Sequence, residues 1–339
     1  MTDKKVKEAG DLIASAKNIV IVPHKGPDGD AIGSSLGLYH FLKKNNNKNV
    51  KVISPNDYPD FLKWLPATEE ILIFEQQEET CRKIIADADL IFTLDFNGLK
   101  RSGDMKTVLE EAGQADFIMI DHHPMPDSYA RVTFSDTSMS STCQMIYTFI
   151  KELNGLAEIN EDIATCLYAG IMTDTGSFRF KSTTSDTHRA IADLIDKGAD
   201  GASIHQKIYD TSTENRIQLL GVALQNLRVN HELKTAYITL TQKELDDHGF
   251  QKGDTEGFVN YGLTLEGIIF AAIFIEHKAE GIIKISFRSK GDFSVNEFAR
   301  AHFEGGGHEN AAGGKSHLSM SKTIEKFNKL LLEYKEDLK

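Results

Sequence analysis

Three short aliphatic runs in the first part of the chain each stop on acids or histidines. Ile19 to Val22 leads through Pro23 into His24, Asp28 and Asp30. Leu90 to Leu94 runs directly into Asp95, and Phe117 to Ile120 directly into Asp121, His122 and His123. Each run is short, apolar on both phases of the strand period and bounded by polar loop residues, the pattern of a strand buried on both faces. Val50 to Ile53 and Ile71 to Phe74 add two more candidate strands. Helical segments alternate with them, so the chain predicts an α/β domain with a doubly wound, mostly parallel sheet. In such a sheet the carboxyl ends of the strands share one edge, where open α/β folds bind their ligands. The acids and imidazoles are therefore expected to meet.

The loop after Val22 narrows the chemistry. Gly29, Gly33 and Gly37 do not form a dinucleotide fingerprint, and no Lys-Ser or Lys-Thr follows them to make a phosphate loop. A helix over 142–153 and another over 163–171 come next, the second running on to Asp174. Taken with His24, Asp28, Asp30, Asp95 and His122, Asp174 completes a set of four carboxylates and two imidazoles without a thiolate. That set suits a hard or borderline divalent cation, manganese before zinc, with magnesium or another divalent ion as alternatives. Six donors exceed what one catalytic ion with open positions uses. Two ions about 3.5–4 Å apart, sharing a bridging carboxylate, are the usual clamp for displacement at phosphorus. Asp95, emerging alone from its strand, is the expected bridge.

Length and charge bound the rest. A chain of 339 residues is expected to form two domains. The alternation places a catalytic domain at 1–185, a helical connector at 186–229 and a smaller mixed α/β domain at 230–339. The polar NNNK stretch before Val50 reads as a turn. The sequence EGGGHENAAGG reads as a glycine-rich loop, followed by an amphipathic helix from Ser321 onward. The net charge of −12 argues against long duplex nucleic acid as a partner. No apolar run reaches the ~20 residues of a membrane helix. The first residues do not read as a secretory signal, and Cys81, Cys143 and Cys166 suggest no disulfide framework. The expected setting is the cytoplasm, without a membrane partner; a homodimer is compatible with the sequence.

His24-x-x-x-Asp28-x-Asp30, Asp95, the triplet Asp121-His122-His123 and GIMTDTGSF around Asp174 resemble, in order, the four signature motifs of the DHH phosphoesterase family. GGGHENAAGG resembles the glycine-rich signature of the DHH-associated C-terminal domain. The resemblance implies that His24, Asp28 and Asp95 hold one ion, and that Asp30, Asp95, His122 and Asp174 hold the other. It implies that His123 contacts the scissile phosphate and serves as general acid. Asp121 receives no ion and is expected to orient a neighbouring ligand. Arg101 resembles a family arginine near the site. In the second domain Arg288, Ser289, Gly305, Gly306, Gly307 and His308 are the expected substrate-binding residues. Glu304 stands where the family commonly has another glycine, and Arg300 and Lys315 are the cations expected to offset it.

A catalytic domain plus the DHH-associated domain is similar to the stand-alone oligoribonucleases of the family. The implied activity is two-metal attack of hydroxide at phosphorus, cutting very short RNAs to mononucleotides and converting 3′-phosphoadenosine 5′-phosphate to AMP. A soluble phosphodiesterase for cyclic dinucleotides, or for linear dinucleotides of the pApA type, is the alternative. A non-catalytic RNA-binding module is the second alternative.

Overall fold

The computed structural model describes residues 1–44 and 48–338. Most of the NNNK turn, residues 45–47, lies outside the described residues. The chain divides into two compact units, Met1–Thr211 and Ser212–Lys339.

The first unit runs α1 (Asp3–Ser15), β1 (Asn18–Pro23), α2 (Gly29–Lys43), β2 (Asn49–Ser54), β3 (Ile71–Ile73), α3 (Glu78–Ala86), β4 (Leu90–Leu94), α4 (Lys106–Glu111), β5 (Asp116–Asp121), β6 (Val132–Ser135), α5 (Thr142–Glu152), α6 (Glu161–Asp174), α7 (Ser185–Asp196) and α8 (Gly201–Tyr209). Its six strands form one sheet in the order β3-β2-β1-β4-β5-β6, with every neighbouring pair parallel. This is the doubly wound α/β architecture expected. Alternate residues of β1 show why the strand is apolar throughout. Ile19 and Ile21 enter one core beneath α2, α5 and α6, and Val20 and Val22 enter another against α3 and α4. The sixth strand, β6, was not foreseen. It has four residues and alternates with polar positions at the sheet edge, too short a run to stand out by periodicity.

The strand order reverses between β1 and β4. At such a switch point the connections leave in opposite directions and open a crevice at the strand ends. His24 follows β1 and Asp95 follows β4, so the first two acid-bearing loops border that crevice.

The packing of α2 on α6 brings the helical donors to the same place. Gly29, Gly33 and Gly37 recur every four residues and form one face of α2. A Cβ at Gly33 would lie 2.6 Å from the Cys166 carbonyl oxygen, and one at Gly37 2.6 Å from the Leu167 side chain. The helices meet closely because the seam has no side chains on one side, and this sets Asp30 beside Asp174.

The second unit runs α9 (Glu214–Gln225), β7 (Arg228–Asn230), β8 (Thr235–Leu240), α10 (Gln242–Asp247), α11 (Asn260–Leu263), β9 (Phe270–His277), β10 (Ile282–Ser289), α12 (Val295–His302), β11 (Gly306–His308), β12 (Ala311–Ser316) and α13 (Met320–Glu333). Its sheet has the order β11-β12-β10-β9-β8-β7. The β8–β9 pair is parallel and the others are antiparallel, a mixed sheet. Phe270, Ala272 and Phe274 of β9 face an aromatic core with Phe287, Phe298 and Phe327. Ala271, Ile273 and Ile275 face a second core with Leu219 and Phe258.

Two sequence expectations change here. The stretch 186–229, expected as one helical connector, holds three separate helices and the start of β7, with α8 and α9 on either side of the Thr211–Ser212 division. The glycine-rich loop is instead a hairpin of β11 and β12. A Cβ at Gly305 would lie 1.9 Å from the Gly313 carbonyl oxygen, and one at Gly307 2.4 Å from that of Ala311. These glycines let two backbones approach, a use that strand propensity, which disfavours glycine, does not reveal.

Candidate metal centre

Each donor is fixed by the element that ends or begins beside it. His24 leaves the end of β1, and its Nδ1 lies 3.0 Å from the Lys25 carbonyl oxygen. Asp28 is the N-cap of α2; one carboxylate oxygen accepts from the Asp30 and Ala31 amides at 3.0 and 3.1 Å. Asp30 sits in the first helical turn, and Asp174 is the last residue of α6. Asp95 leaves β4 with φ +64°, a left-handed conformation that costs a non-glycine residue about 1–2 kcal/mol.

The donors form two neighbouring groups. His24, Asp28 and Asp95 have ligand atoms within 4.8 Å of one another, as do Asp30, His122 and Asp174. Asp95 faces both. Its Oδ2 lies 3.4 Å from His24 Nε2, and its Oδ1 3.5 Å from His122 Nε2. His122 Nε2 is also 3.6 Å from Asp174 and 3.9 Å from Asp30. Asp95, His122 and His123 make a third close group. The Nδ1 of His123, however, donates to Asp121 Oδ1 at 2.7 Å, so a nitrogen carrying that proton cannot also ligate a cation. The other oxygen of Asp121 is buried with no hydrogen-bond donor among the described residues. This carboxylate gives up part of its solvation to hold the His123 ring.

The electrostatics fit cations. Burial, then the charges of Asp95 and Asp174, push Asp30 well above the usual carboxylate range. Burial raises Asp174 to about 7; His122 pulls against the shift, and Asp28 and Asp95 reinforce it. Burial would lower His24 and His122, but neighbouring carboxylates, Asp95 foremost, lift both to about 9. Asp95 itself falls well below the usual range, because His24, His122 and His123 outweigh its burial. Such a cluster favours bound positive charge, protons included. Four carboxylates and two imidazoles without a thiolate are a donor set for divalent metal ions, which would displace those protons.

Sequence reasoning missed Ser141, Thr142 and Cys143. All three are buried at the start of α5, where the Thr142 and Cys143 amides donate to the two oxygens of Asp30 at 2.6 and 2.8 Å. The signal available was a Ser-Thr pair ahead of an apolar helix, which predicts a cap but not what the cap holds.

The remaining expected residues lie elsewhere. Arg101 is exposed, in a 3₁₀ segment whose backbone reaches the His24 loop: the Lys25 amide donates to the Arg101 carbonyl at 2.8 Å. In the second unit, burial lowers the pKa of Arg288, with Glu256 pulling the other way. Its guanidinium donates to the Phe287 carbonyl at 2.9 Å, and among the described residues it forms no ion pair. Ser289 is buried; it donates to the Phe293 carbonyl at 2.6 Å and accepts from Asn310 at 2.8 Å, tying the end of β10 to the loops beside it. Gly306, Gly307 and His308 form the sheet-edge strand β11, preceded by Gly305. The Gly307 amide donates to Asn296 at 3.0 Å, and His308 is exposed. Glu304 has φ +47° just after α12, where a helix exit favours glycine. Its carboxylate lies 3.4 Å from Lys315 and 3.8 Å from His317. Arg300, the other expected cation, donates to Asn296 instead.

Among the described residues no helix is long and apolar enough to cross a membrane. Residues 18–171 match the DHH family, N-terminal domain, and residues 233–337 the DHHA1 domain. The bifunctional oligoribonuclease and PAP phosphatase NrnA of Thermus thermophilus is 32% identical over 297 residues, covering 87% of this chain and 83% of the relative. The cyclic-di-AMP phosphodiesterase GdpP of Bacillus subtilis is 26% identical over 96% of this chain but only 49% of its own length. The crystal structure of an exopolyphosphatase-related protein from Bacteroides fragilis superimposes with a TM-score of 0.97 at 40% identity, covering 99% of this chain and 98% of that one. With both domains matched in order and the motif residues gathered at the sheet's switch point, the chain belongs to the DHH family of phosphoesterases.

Proposed function

We propose that this chain hydrolyses very short oligoribonucleotides to mononucleotides, and 3′-phosphoadenosine 5′-phosphate to AMP, with two divalent cations, manganese by preference. The observation that carries the reading is Asp95, whose two oxygens face two separate imidazoles, His24 and His122, at 3.4 and 3.5 Å. The names of the NrnA relatives supply the substrate class.

On this reading His24, Asp28 and Asp95 hold one cation, and Asp30, Asp95, His122 and Asp174 hold the other. When bound, such a pair neutralises an anionic phosphate and makes water acidic enough to yield a nucleophile near neutral pH. The chain's own residues do the rest. Asp121 accepts a hydrogen bond from Nδ1 of His123, so Nδ1 keeps its proton and the one that the ring exchanges is on Nε2. That proton goes to the oxygen that leaves phosphorus. In the second unit Arg288 supplies a guanidinium that forms no ion pair among the described residues. It binds phosphate or base edge, while Ser289 fixes the strand end from which Arg288 projects. Gly305, Gly306 and Gly307 leave the edge backbone bare for a nucleotide, and His308 stacks or hydrogen-bonds with it. Arg101 meets a substrate phosphate at the rim of the first unit.

The GdpP match favours a second reading, hydrolysis of cyclic or linear dinucleotides. One substrate panel under manganese separates the two: a diribonucleotide, 3′-phosphoadenosine 5′-phosphate, a cyclic dinucleotide, pyrophosphate and a longer RNA. Turnover of both of the first two above the rest supports the proposal; turnover of the cyclic dinucleotide above both, or of the diribonucleotide without 3′-phosphoadenosine 5′-phosphate, would replace it.

A further inference from the structure

The N-terminus of α5 does something that its own capping does not require. A helix begins with four amides lacking intrahelical partners. Here Ser141 Oγ accepts from the Gln144 amide at 3.0 Å, the ordinary cap. The Thr142 and Cys143 amides point instead at a residue more than a hundred positions away, Asp30, one to each carboxylate oxygen, at 2.6 and 2.8 Å. The same Thr142 sends its hydroxyl in another direction, donating to Asp95 Oδ1 at 3.0 Å. Thr142 is fully buried, and Asp30 and Asp95 are 1% and 2% exposed, so water does not compete for these bonds.

One residue thus holds two carboxylates by different groups. Its backbone fixes Asp30, which belongs with His122 and Asp174. Its side chain fixes Asp95, which faces both halves of the centre. Asp95 leaves its strand in a left-handed conformation, and the Thr142 hydroxyl is one of the groups that hold its carboxylate there.

We propose that Thr142 is a positioning residue that keeps the two halves of the metal centre in register, through its hydroxyl on Asp95 and its amide on Asp30. This rests on the two-cation reading above. The hydroxyl can be removed without touching the amide, which makes the side-chain arm separable.

The test titrates metal-free chain with manganese by calorimetry for the wild type, Thr142→Val and Thr142→Ser, alongside unfolding curves of the metal-free proteins. Loss of a group orienting a ligand typically weakens metal binding 10–100-fold, so Thr142→Val is expected to lose about that much affinity while Thr142→Ser stays within about threefold of the wild type. The metal-free unfolding midpoints of Thr142→Ser and wild type should coincide. Thr142→Ala supplies a second hydroxyl-free variant if the valine methyl disturbs folding. Unchanged manganese affinity in a hydroxyl-free variant would overturn the proposal and leave the two-cation reading standing. So would an equal loss in Thr142→Ser, which would assign the effect to packing. A wild type that takes up fewer than two manganese ions would overturn the two-cation reading, and the proposal with it.

Discussion

His123 and Asp121 show how much one hydrogen bond decides. The two are adjacent to His122 in sequence, yet only His122 turns its Nε2 toward Asp30, Asp95 and Asp174. Asp121, at 2.7 Å, ties His123 down by Nδ1, and the proposal gives the ring the transfer of a proton. Replacing His123 by alanine should lower kcat on a diribonucleotide by about 10²–10⁴, the usual contribution of a general acid. With a nitrophenyl phosphodiester, whose leaving oxygen needs no proton, the loss should shrink to about tenfold or less. Equal losses on both substrates would remove His123 from the proton-transfer role. The acids themselves were legible because strand ends in a parallel sheet share an edge, so a run that stops at Asp95 or Asp121 declares its place. The left-handed backbone of Asp95 and the grip of Thr142 were not legible. Both depend on the meeting of segments far apart in the chain, which no local pattern records.

Among the elements, α2 is the one whose sequence pattern had a meaning that only packing revealed. Its glycines, spaced by four, read as the absence of a nucleotide fingerprint; in the fold they are the flat face that α6 lies against. Gly33→Ala would put a Cβ 2.6 Å from the Cys166 carbonyl and 3.0 Å from the Cys143 sulfur. Backbone on one side cannot yield cheaply, so the variant should lose about 1–3 kcal/mol in urea unfolding. It should also lose activity, as Asp30 shifts from Asp174. The β11–β12 hairpin gives the opposite expectation. Glu304 pays the left-handed cost, and its pairs with Lys315 and His317 are exposed, where such pairs contribute about 0–1 kcal/mol. Glu304→Gly should therefore raise the chemical-denaturation midpoint by a margin worth about 0.5–1 kcal/mol. A lower midpoint would show that the two pairs outweigh the strain. Helices such as α5 and α6 were legible from their apolar spacing. The strands β6 and β11 were not, being four and three residues long and, in β11, built from glycine.

Across the whole molecule, a chain of net charge −12 is proposed to handle anions, and local arrangements must overcome the long-range repulsion. The first unit would do so with cations held by its acids. The second has Arg288, a half-buried arginine without an ion-pair partner among the described residues. On the proposal this cation binds substrate at some cost to stability. Arg288→Met should raise the unfolding midpoint and raise KM for 3′-phosphoadenosine 5′-phosphate at least about tenfold, the worth of one charge-assisted hydrogen bond. An unchanged KM would assign the arginine a structural role. The order β3-β2-β1-β4-β5-β6 explains why the first unit was readable at this scale. Right-handed crossovers leave few ways to wind alternating strands and helices, and each places β1 and β4 ends on the same edge.

The central claim is that six side chains scattered between His24 and Asp174 surround two cations with Asp95 between them. Anomalous diffraction from crystals grown with manganese tests it directly. Two peaks about 3.5–4 Å apart, with one oxygen of Asp95 reaching both or one oxygen on each, are the predicted result. A single fully occupied peak, or peaks away from Asp95, would contradict it.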